Sequence, residues 1–477
     1  MSKPWSKFLF WIYLLFLIWA AATVTNPADP DLWHRLAVGE YIWQKGHFPA
    51  GDVFSYLNDY KPVADHEWGC ALIFYGLWSW QGGAAMVVTK LVALTLTLVL
   101  VVWAGLQGRR PTLLLTAFYA LVMLALLPSF QSTVRCMVFT HIFFALWLYW
   151  FQRERQGRMV PGYLYVVTMV VWANLHGGFV TGLIWLLAVA LVEAGFGRPW
   201  KKWVIRFWFC LVATLVNPFG AQLWITTWRA LVTTRRGFGE WAPVSWSEPM
   251  SYPGYKLLLI SVFAVLAIQI YRKRWKQIDK PGLILIGVFM FFALMSARHT
   301  SLFAVVAGAL APGVFPLKWP HTLTLGPVRR LCVMAVNSAL ILVPLYAALM
   351  VLPNSAGLRL EYPHEAYPVE GVAFLERENV RGNLLVPFNY GSYALWELRG
   401  KMRVSMDGRY DLVYRPETYR RVDDFFAARG DWVSLLASPR PDAILVPRSA
   451  GVYLDLINEP GWVEAWHDSW DAVFLPR

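Results

Sequence analysis

The chain has 477 residues, of which 57% are hydrophobic and 15% charged, with a mean hydropathy of +0.43; soluble domains carry about 25% charged residues. Disordered chains, collagens, secreted disulfide scaffolds and cytosolic enzymes are excluded, which leaves a polytopic membrane protein. The net charge of +13 does not mark a nucleic-acid binder, because it is unevenly spread. Residues 1–352 hold 29 Lys and Arg against 12 Asp and Glu, whereas residues 353–477 hold 14 against 18. The positive excess lies in the apolar part, where short cytoplasmic loops collect Lys and Arg.

Apolar runs of about 17–25 residues, the length of a membrane-crossing helix, recur from Lys7 to Leu352. They predict about eleven spans, near 8–24, 84–106, 112–128, 137–152, 160–174, 178–195, 203–217, 255–271, 281–296, 300–316 and 331–352. The first is bulky and aromatic, so it reads as an uncleaved span rather than a signal peptide. The apolar stretch Trp68–Trp80 is short for a span and suits an interfacial helix. With that stretch not crossing, the clusters at Arg109-Arg110, Arg153/Arg155/Arg158, Arg198/Lys201/Lys202/Arg206, Arg272–Lys280 and Lys318/Arg329/Arg330 all share the side of Lys3 and Lys7. The positive-inside rule then places the N-terminus in the cytoplasm and the C-terminus outside.

Residues 1–352 thus read as a transmembrane domain with a first outer loop at 25–83 and a second large one at 218–254. The first loop begins with a helix over Asp31–Trp43, with Asp31 as N-cap and Leu32, Leu36, Val38, Gly39, Ile42 and Trp43 along one face. Trp33, Trp43, Trp68, Trp78 and Trp80 suit a headgroup layer, and the second outer loop is expected to pack on the first. Residues 353–477 read as a small soluble α/β domain, with strands at Asn383–Phe388, Met402–Met406 and Ala443–Pro447 and helices at 366–378, 390–399, 416–429 and 432–438. Gly178-Phe-Val-Thr-Gly182 reads as a close helix contact. Cys70, Cys136, Cys210 and Cys332 are widely spaced. They make no zinc motif and read as single buried thiols, with pairing of Cys70 and Cys136 on the same outer face as the alternative.

Nine of the 12 acidic residues before 353 fall in outer loops, among them Asp29, Asp31, Asp52, Asp59, Asp65 and Glu67. Asp29-Pro-Asp31 is the sharpest local signal. Two carboxylates one residue apart hold a divalent cation such as Mg²⁺ or Mn²⁺, or orient an acceptor hydroxyl; equally, they form a turn and a helix cap. Asp65-His66-Glu67 opens the next helix and admits the same two readings. Lys90, two turns inside its span, either snorkels outward or serves a site, because an intramembrane cation is costly. Arg135, Asn174, His176, Arg298 and His299 stand at successive outer turns, with Arg298-His299 suited equally to phosphate binding and to interfacial anchoring.

This layout resembles the GT-C superfamily of polyprenyl-phosphate-dependent glycosyltransferases, in particular its protein mannosyltransferase-like and aminoarabinose-transferase-like branches. The wording Asp29-Pro-Asp-Leu-Trp-His34-Arg-Leu, His66-Glu-Trp, Asn174-Leu-His-Gly-Gly and Asp407-Gly-Arg-Tyr-Asp is also similar to a broad set of bacterial membrane proteins. The resemblance implies transfer of a sugar from a lipid-linked donor to a glycan, lipid or protein acceptor, with inversion. In that scheme Asp29 or Asp31, which match the family's acidic loop motif, acts as base; from their placement at outer span ends, Arg298, His299 or Lys90 faces the leaving phosphate. His34, Asp65, His66, Glu67, Arg135, Asn174 and His176 would line the substrates. The rival readings are a transporter or flippase of a lipid-linked substrate and a non-catalytic assembly subunit. Transporters carry internal repeats and polar groups at mid-membrane; neither is seen in this chain.

The topology has a direct consequence. A phosphatase fused after Arg477 should be active and a cytosolic reporter at the same position silent. The reverse pattern would overturn the orientation.

Overall fold

The computed structural model describes residues 7–49, 51–57, 64–130, 134–232, 239–315, 326–410 and 413–477. Lys3, Asp59 and Lys318, used above in the charge reading, lie outside these residues, as does Asp411. The chain forms two compact units. One comprises Met1–Asn26, Val87–Pro218 and Thr234–Arg359; the other comprises Pro27–Met86, Phe219–Thr233 and Leu360–Arg477.

The first unit is helical. Every apolar segment expected from the sequence falls on a helix, from Lys7–Thr23 through Met137–Arg155, Lys201–Ala213 and Thr300–Val314 to Pro327–Val351. Several of these helices are apolar on all faces, as membrane helices are. In Lys7–Thr23, for example, Phe10, Leu14 and Leu17 are buried while Phe8, Ile12 and Leu15 are exposed. Such a belt of exposed apolar side chains belongs in lipid. The helices Trp68–Leu106 and Pro253–Tyr271 are long and apolar enough to cross a membrane. The longer one breaks at Gln81 and Gly82, whose backbone angles are not helical. Trp68–Trp80 is thereby separated from the apolar run after it. Gly182 is a close helix contact: a Cβ there would lie 2.8 Å from the Trp172 ring.

Ion pairs sort the basic clusters of this unit. Glu154, at the end of its helix, binds Lys202 at 2.6 Å and Arg206 at 2.7 Å, and the adjacent Arg155 binds Asp279 at 2.6 Å. The clusters at 153–158, 201–206 and 279–280 therefore share one end of the unit. Cys210 is a buried free thiol. Cys70 and Cys136 are disulfide-bonded, the alternative to the single thiols expected.

The second unit is built on a mixed five-stranded sheet, ordered β2-β1-β3-β5-β4. Its strands are β1 (Gly382–Leu385), β2 (Met402–Val404), β3 (Ala443–Pro447), β4 (Trp462–His467) and β5 (Asp471–Pro476). The pairs β1–β2 and β1–β3 are parallel, with Leu384 opposite both Val404 and Ala443. β5 runs antiparallel to β3 and β4. The β4–β5 hairpin was not expected; only the Asp468-Ser-Trp-Asp turn between the strands signals it.

An open edge on β2 would invite pairing with another chain. Residues Phe54–Tyr56 of the first long loop occupy it. Tyr56 N–H donates to Val404 O at 3.0 Å, and Val404 N–H donates to Phe54 O at 3.1 Å. Leu57 from the same loop enters the core with Leu385, Met406, Val446 and Phe474. The expected contact between the two long loops is made by Phe48 and Phe219, whose ring centroids are 4.9 Å apart.

The helix Pro30–Lys45 completes the unit. It starts earlier than expected: Asp29, not Asp31, is the N-cap, accepting from Asp31 N–H at 2.9 Å. Proline suits the first helical position because its missing N–H is not needed there and its φ is preset. Gly46, at φ 70°, closes the other end by donating to Ile42 O. The helix is buried on more than its apolar face. Trp33 is fully buried rather than in a headgroup layer, stacked on Tyr362 at 5.6 Å and edge-on to Trp78, Tyr367 and Tyr393. Trp43 is 68% exposed.

Trp33→Ala should therefore cost about 3–5 kcal/mol and lower the thermal midpoint of the purified protein markedly. Trp43→Ala should change stability by no more than about 0.5 kcal/mol. Equal effects would contradict the placement of this helix.

Candidate functional site

The expected site residues divide between the two units. Asp29, Asp31, His34, Asp65, His66 and Glu67 belong to the second; Lys90, Arg135, Asn174, His176, Arg298 and His299 belong to the first.

In the second unit, the start of helix Pro30–Lys45 sets the acidic motif. Asp29 is buried as the cap, and Asp31 is half-buried in the first turn, where a carboxylate meets the positive end of the helix dipole. That same dipole disfavours a cation. Among the described residues no group of three His, Cys, Asp or Glu is placed to hold a metal. The Asp pair fits an Mg²⁺ or Mn²⁺ ion poorly.

One turn on, His34 is buried with Nδ1 3.3 Å from Ser392 Oγ, which accepts from Gly408 N–H at 2.8 Å. Only glycine fits at 408, since a Cβ would sit 2.8 Å from His34 Nδ1 and 2.9 Å from Ser392 Oγ. Burial, reinforced by Arg35, pushes His34 down to about 4, so the ring is neutral at pH 7.

Beside it lies a charge network that the sequence candidates missed. Arg409 binds Asp407 through Nε at 2.8 Å and Nη2 at 2.6 Å, and reaches Asp52 Oδ1 through Nη1 at 2.7 Å. Tyr414 donates to Asp407 at 2.8 Å, Ser55 donates to Asp52, and Phe54 N–H donates to Asp52 at 3.0 Å. The side chains of Asp52 and Asp407 are wholly buried. Burial opposes the charge on Asp407, but Arg409 outweighs it and holds the carboxyl down to about 2. Asp407-Gly-Arg-Tyr-Asp was visible as a motif; its partner Asp52 looked like one more loop acid.

The second acidic cluster is also engaged. Arg35, next to His34, binds Asp65 at 2.6 Å and Glu67 at 3.0 Å. Asp65 Oδ1 also accepts Glu67 N–H at 2.9 Å, in the manner of a helix cap. Burial works against the charge on Asp65, and Arg35 reverses it, lowering the carboxyl. His66 lies 3.9 Å from Glu67.

In the first unit, Lys90 does not snorkel. It is fully buried, and its Nζ donates to Asn26 Oδ1 at 2.5 Å. Asn26 in turn donates to Gly357 O at 2.8 Å, so Lys90 holds the segment that leaves the first helix. Asn174 donates to Val170 O and Val216 O, both at 2.8 Å. His176 Nδ1 accepts from Gly178 N–H at 2.9 Å and lies 2.7 Å from Thr140 Oγ1. Both residues brace turns. Arg135 and Arg298 converge on Glu240, at 2.9 Å and 3.2 Å, and Arg298 stacks over Trp241 at 4.8 Å. His299 Nδ1 lies 3.3 Å from Phe292 O.

No protein-family model matches the sequence, and no curated protein matches it. Solved structures match the fold. ArnT from Cupriavidus metallidurans bound to undecaprenyl phosphate is 14% identical, with a TM-score of 0.55 over 98% of this chain and 97% of that one. Its apo state is 13% identical, with a TM-score of 0.57 over the same shares. The arabinofuranosyltransferase AftD from Mycobacteria is 14% identical, with a TM-score of 0.54. The chain is covered completely in that match but spans 40% of the AftD chain. The protein is thus a largely helical, multi-pass membrane protein that shares the fold of ArnT and AftD, with a β-containing C-terminal part.

Acid should test the buried groups separately. His34 titrates ordinarily at 6.5 and at about 4 when folded. The stability that depends on its neutral form is present above 6.5 and lost as pH falls through 4. Asp407, ordinarily at 3.8, gives way only below that range, toward 2. Thermal midpoints between pH 7 and 4.5 should fall for the native protein and fall less steeply for His34→Gln. Arg409→Met should cost about 3–5 kcal/mol at pH 7 by stranding two buried carboxylates. That deficit should shrink as acid neutralises them; a pH-independent deficit would contradict the network.

Proposed function

We propose that the protein transfers a sugar, with inversion, from a polyprenyl-phosphate-linked donor to an acceptor hydroxyl on the extracytoplasmic face of the cytoplasmic membrane. The observation that carries this reading is the match to ArnT over nearly the whole of both chains, with undecaprenyl phosphate bound in one of the matched structures. Fold likeness does not by itself carry an activity. Further support comes from the half-buried carboxylate at a helix start in the first outer loop.

Asp31 is the base in this scheme, with Asp29 beside it as the helix cap. The acceptor oxygen attacks the anomeric carbon as its proton passes to Asp31. The bond from that carbon to the phosphate oxygen breaks, and the polyprenyl phosphate departs with the electron pair. Arg298, with Arg135, stabilises the charge that grows on the phosphate. Lys90 positions the segment that leads to the acidic motif through Asn26. Glycan, lipid and protein all supply suitable acceptor hydroxyls.

The test is release of polyprenyl phosphate from a panel of polyprenyl-phosphate sugars by purified protein. Asp31→Asn should lower turnover by about 10²–10⁴-fold while the protein accumulates normally. Asn caps a helix about as well as Asp, so Asp29→Asn isolates the charge of Asp29 from its capping role. Arg298→Ala should weaken donor binding more than it lowers stability, and Arg298→Lys should restore binding only in part. Full turnover in the Asp29→Asn, Asp31→Asn and doubly substituted proteins would contradict the assignment.

A further inference from the structure

Within the first unit, a cavity of about 380 Å³ opens between three helix ends: the start of Lys7–Thr23, the end of Trp68–Leu106 and the end of Met137–Arg155. Among the described residues four cations line it, Lys7, Arg109, Arg153 and Arg158, and no carboxylate does. The neighbouring acids are committed elsewhere, Glu154 to Lys202 and Arg206 and Asp279 to Arg155. Among the described residues none of the four lining cations has an ion-pair partner. Arg109 donates to Pro312 O, and Arg153 donates to the Tyr149 hydroxyl at 3.1 Å. Arg153 Nε is buried with no acceptor among the described residues.

The bland explanation is that cations gather where helices end, because carbonyl groups make those ends negative. Its magnitude is too small. Each helix end contributes about half a charge. The two carboxyl-terminal ends bring about one negative charge, which the amino-terminal end of Lys7–Thr23 partly cancels. Four cations around one small cavity keep a large positive surplus, and they repel one another until an anion enters. Trp103, half-exposed at the rim and 6.1 Å from Tyr149, is the residue type that sits at headgroup depth. The volume accepts a phosphate-bearing headgroup, and the exposed indole offers its acyl chains a path along the outer surface.

We propose that this cavity binds the phosphate group of an anionic lipid, at the end of the helical unit that carries its Lys and Arg clusters. It does not depend on the transfer reaction, since none of its residues has a role there. Lysine and arginine serve differently in such a site. Arg109, Arg153 and Arg158 offer planar forks to phosphate oxygens, while Lys7 adds a point charge.

The test uses full-length protein in phosphatidylcholine nanodiscs containing a small fraction of phosphatidic acid, with lipid adducts counted by native mass spectrometry. The native protein should retain phosphatidic acid over phosphatidylcholine. The Arg109→Gln/Arg153→Gln variant should retain it at least ten-fold less. Arg158→Gln, which alters an exposed side chain and leaves folding intact, should lose retention measurably. Arg272→Gln, an exposed arginine outside the cavity, should retain as much as the native protein. Added glycerol 3-phosphate should not displace the lipid. Displacement by the soluble phosphate would overturn the lipid assignment. Equal retention in native and cavity variants, or an equal loss in Arg272→Gln, would overturn the site.

Discussion

Arg409 lies between the carboxylates of Asp52 and Asp407 with all three side chains nearly out of water. Removing such charges from water costs several kcal/mol each, recovered only when the partners and their hydrogen bonds are all in place. The arrangement is therefore conditional. Asp52 belongs to the first long loop and Asp407 to the C-terminal part, so neither segment holds its charges alone. The pairing draws Phe54–Tyr56 onto the edge of β2 and Leu57 into the core beneath it. Gly408, between the two charged residues of the motif, leaves room for His34 and Ser392. His34 lies one turn from Asp31. A chain of short contacts thus runs from a buried ion pair to the orientation of the acidic helix start.

The same physics explains why His34 is neutral and Arg35 charged, although they are adjacent and equally buried. Arg35 has two carboxylates, Asp65 and Glu67, to offset its desolvation. His34 has a serine hydroxyl within reach and a guanidinium next door, so its neutral ring is favoured. In the helical unit, charge is sorted by position. Glu154 and Asp279 pair with basic residues at one end of the unit, while Glu240 gathers Arg135 and Arg298. Lys90 is a cation buried within a helix, donating to the Asn26 amide oxygen.

Much of the helical unit was legible, because long apolar runs and basic clusters are strong, local signals. The break at Gln81–Gly82 was legible as well, since thirteen apolar residues are too few to cross a bilayer. The first long loop was harder. Its helix carries an apolar face that suits a membrane surface, and nothing local says that Trp33 meets Tyr362, Tyr367 and Tyr393 from far along the chain. The β4–β5 hairpin escaped because nothing local in Trp462–His467 shows that it pairs with β5, which itself lies between β3 and β4. At the candidate site, Asp29 and Asp31 stood out through spacing. The Asp52–Arg409 pair could not, because 357 residues separate its members.

The central claim is that the acidic helix start is held in place by folding together with the C-terminal sheet through the buried Asp52–Arg409–Asp407 network. Hydrogen–deuterium exchange on the intact protein in detergent tests it most directly. Helix Pro30–Lys45 and strands β1–β3 should show matching slow exchange, and Arg409→Met should accelerate both together while the helices of the first unit stay protected. Fast, independent exchange of Pro30–Lys45 beside a protected sheet would contradict the account.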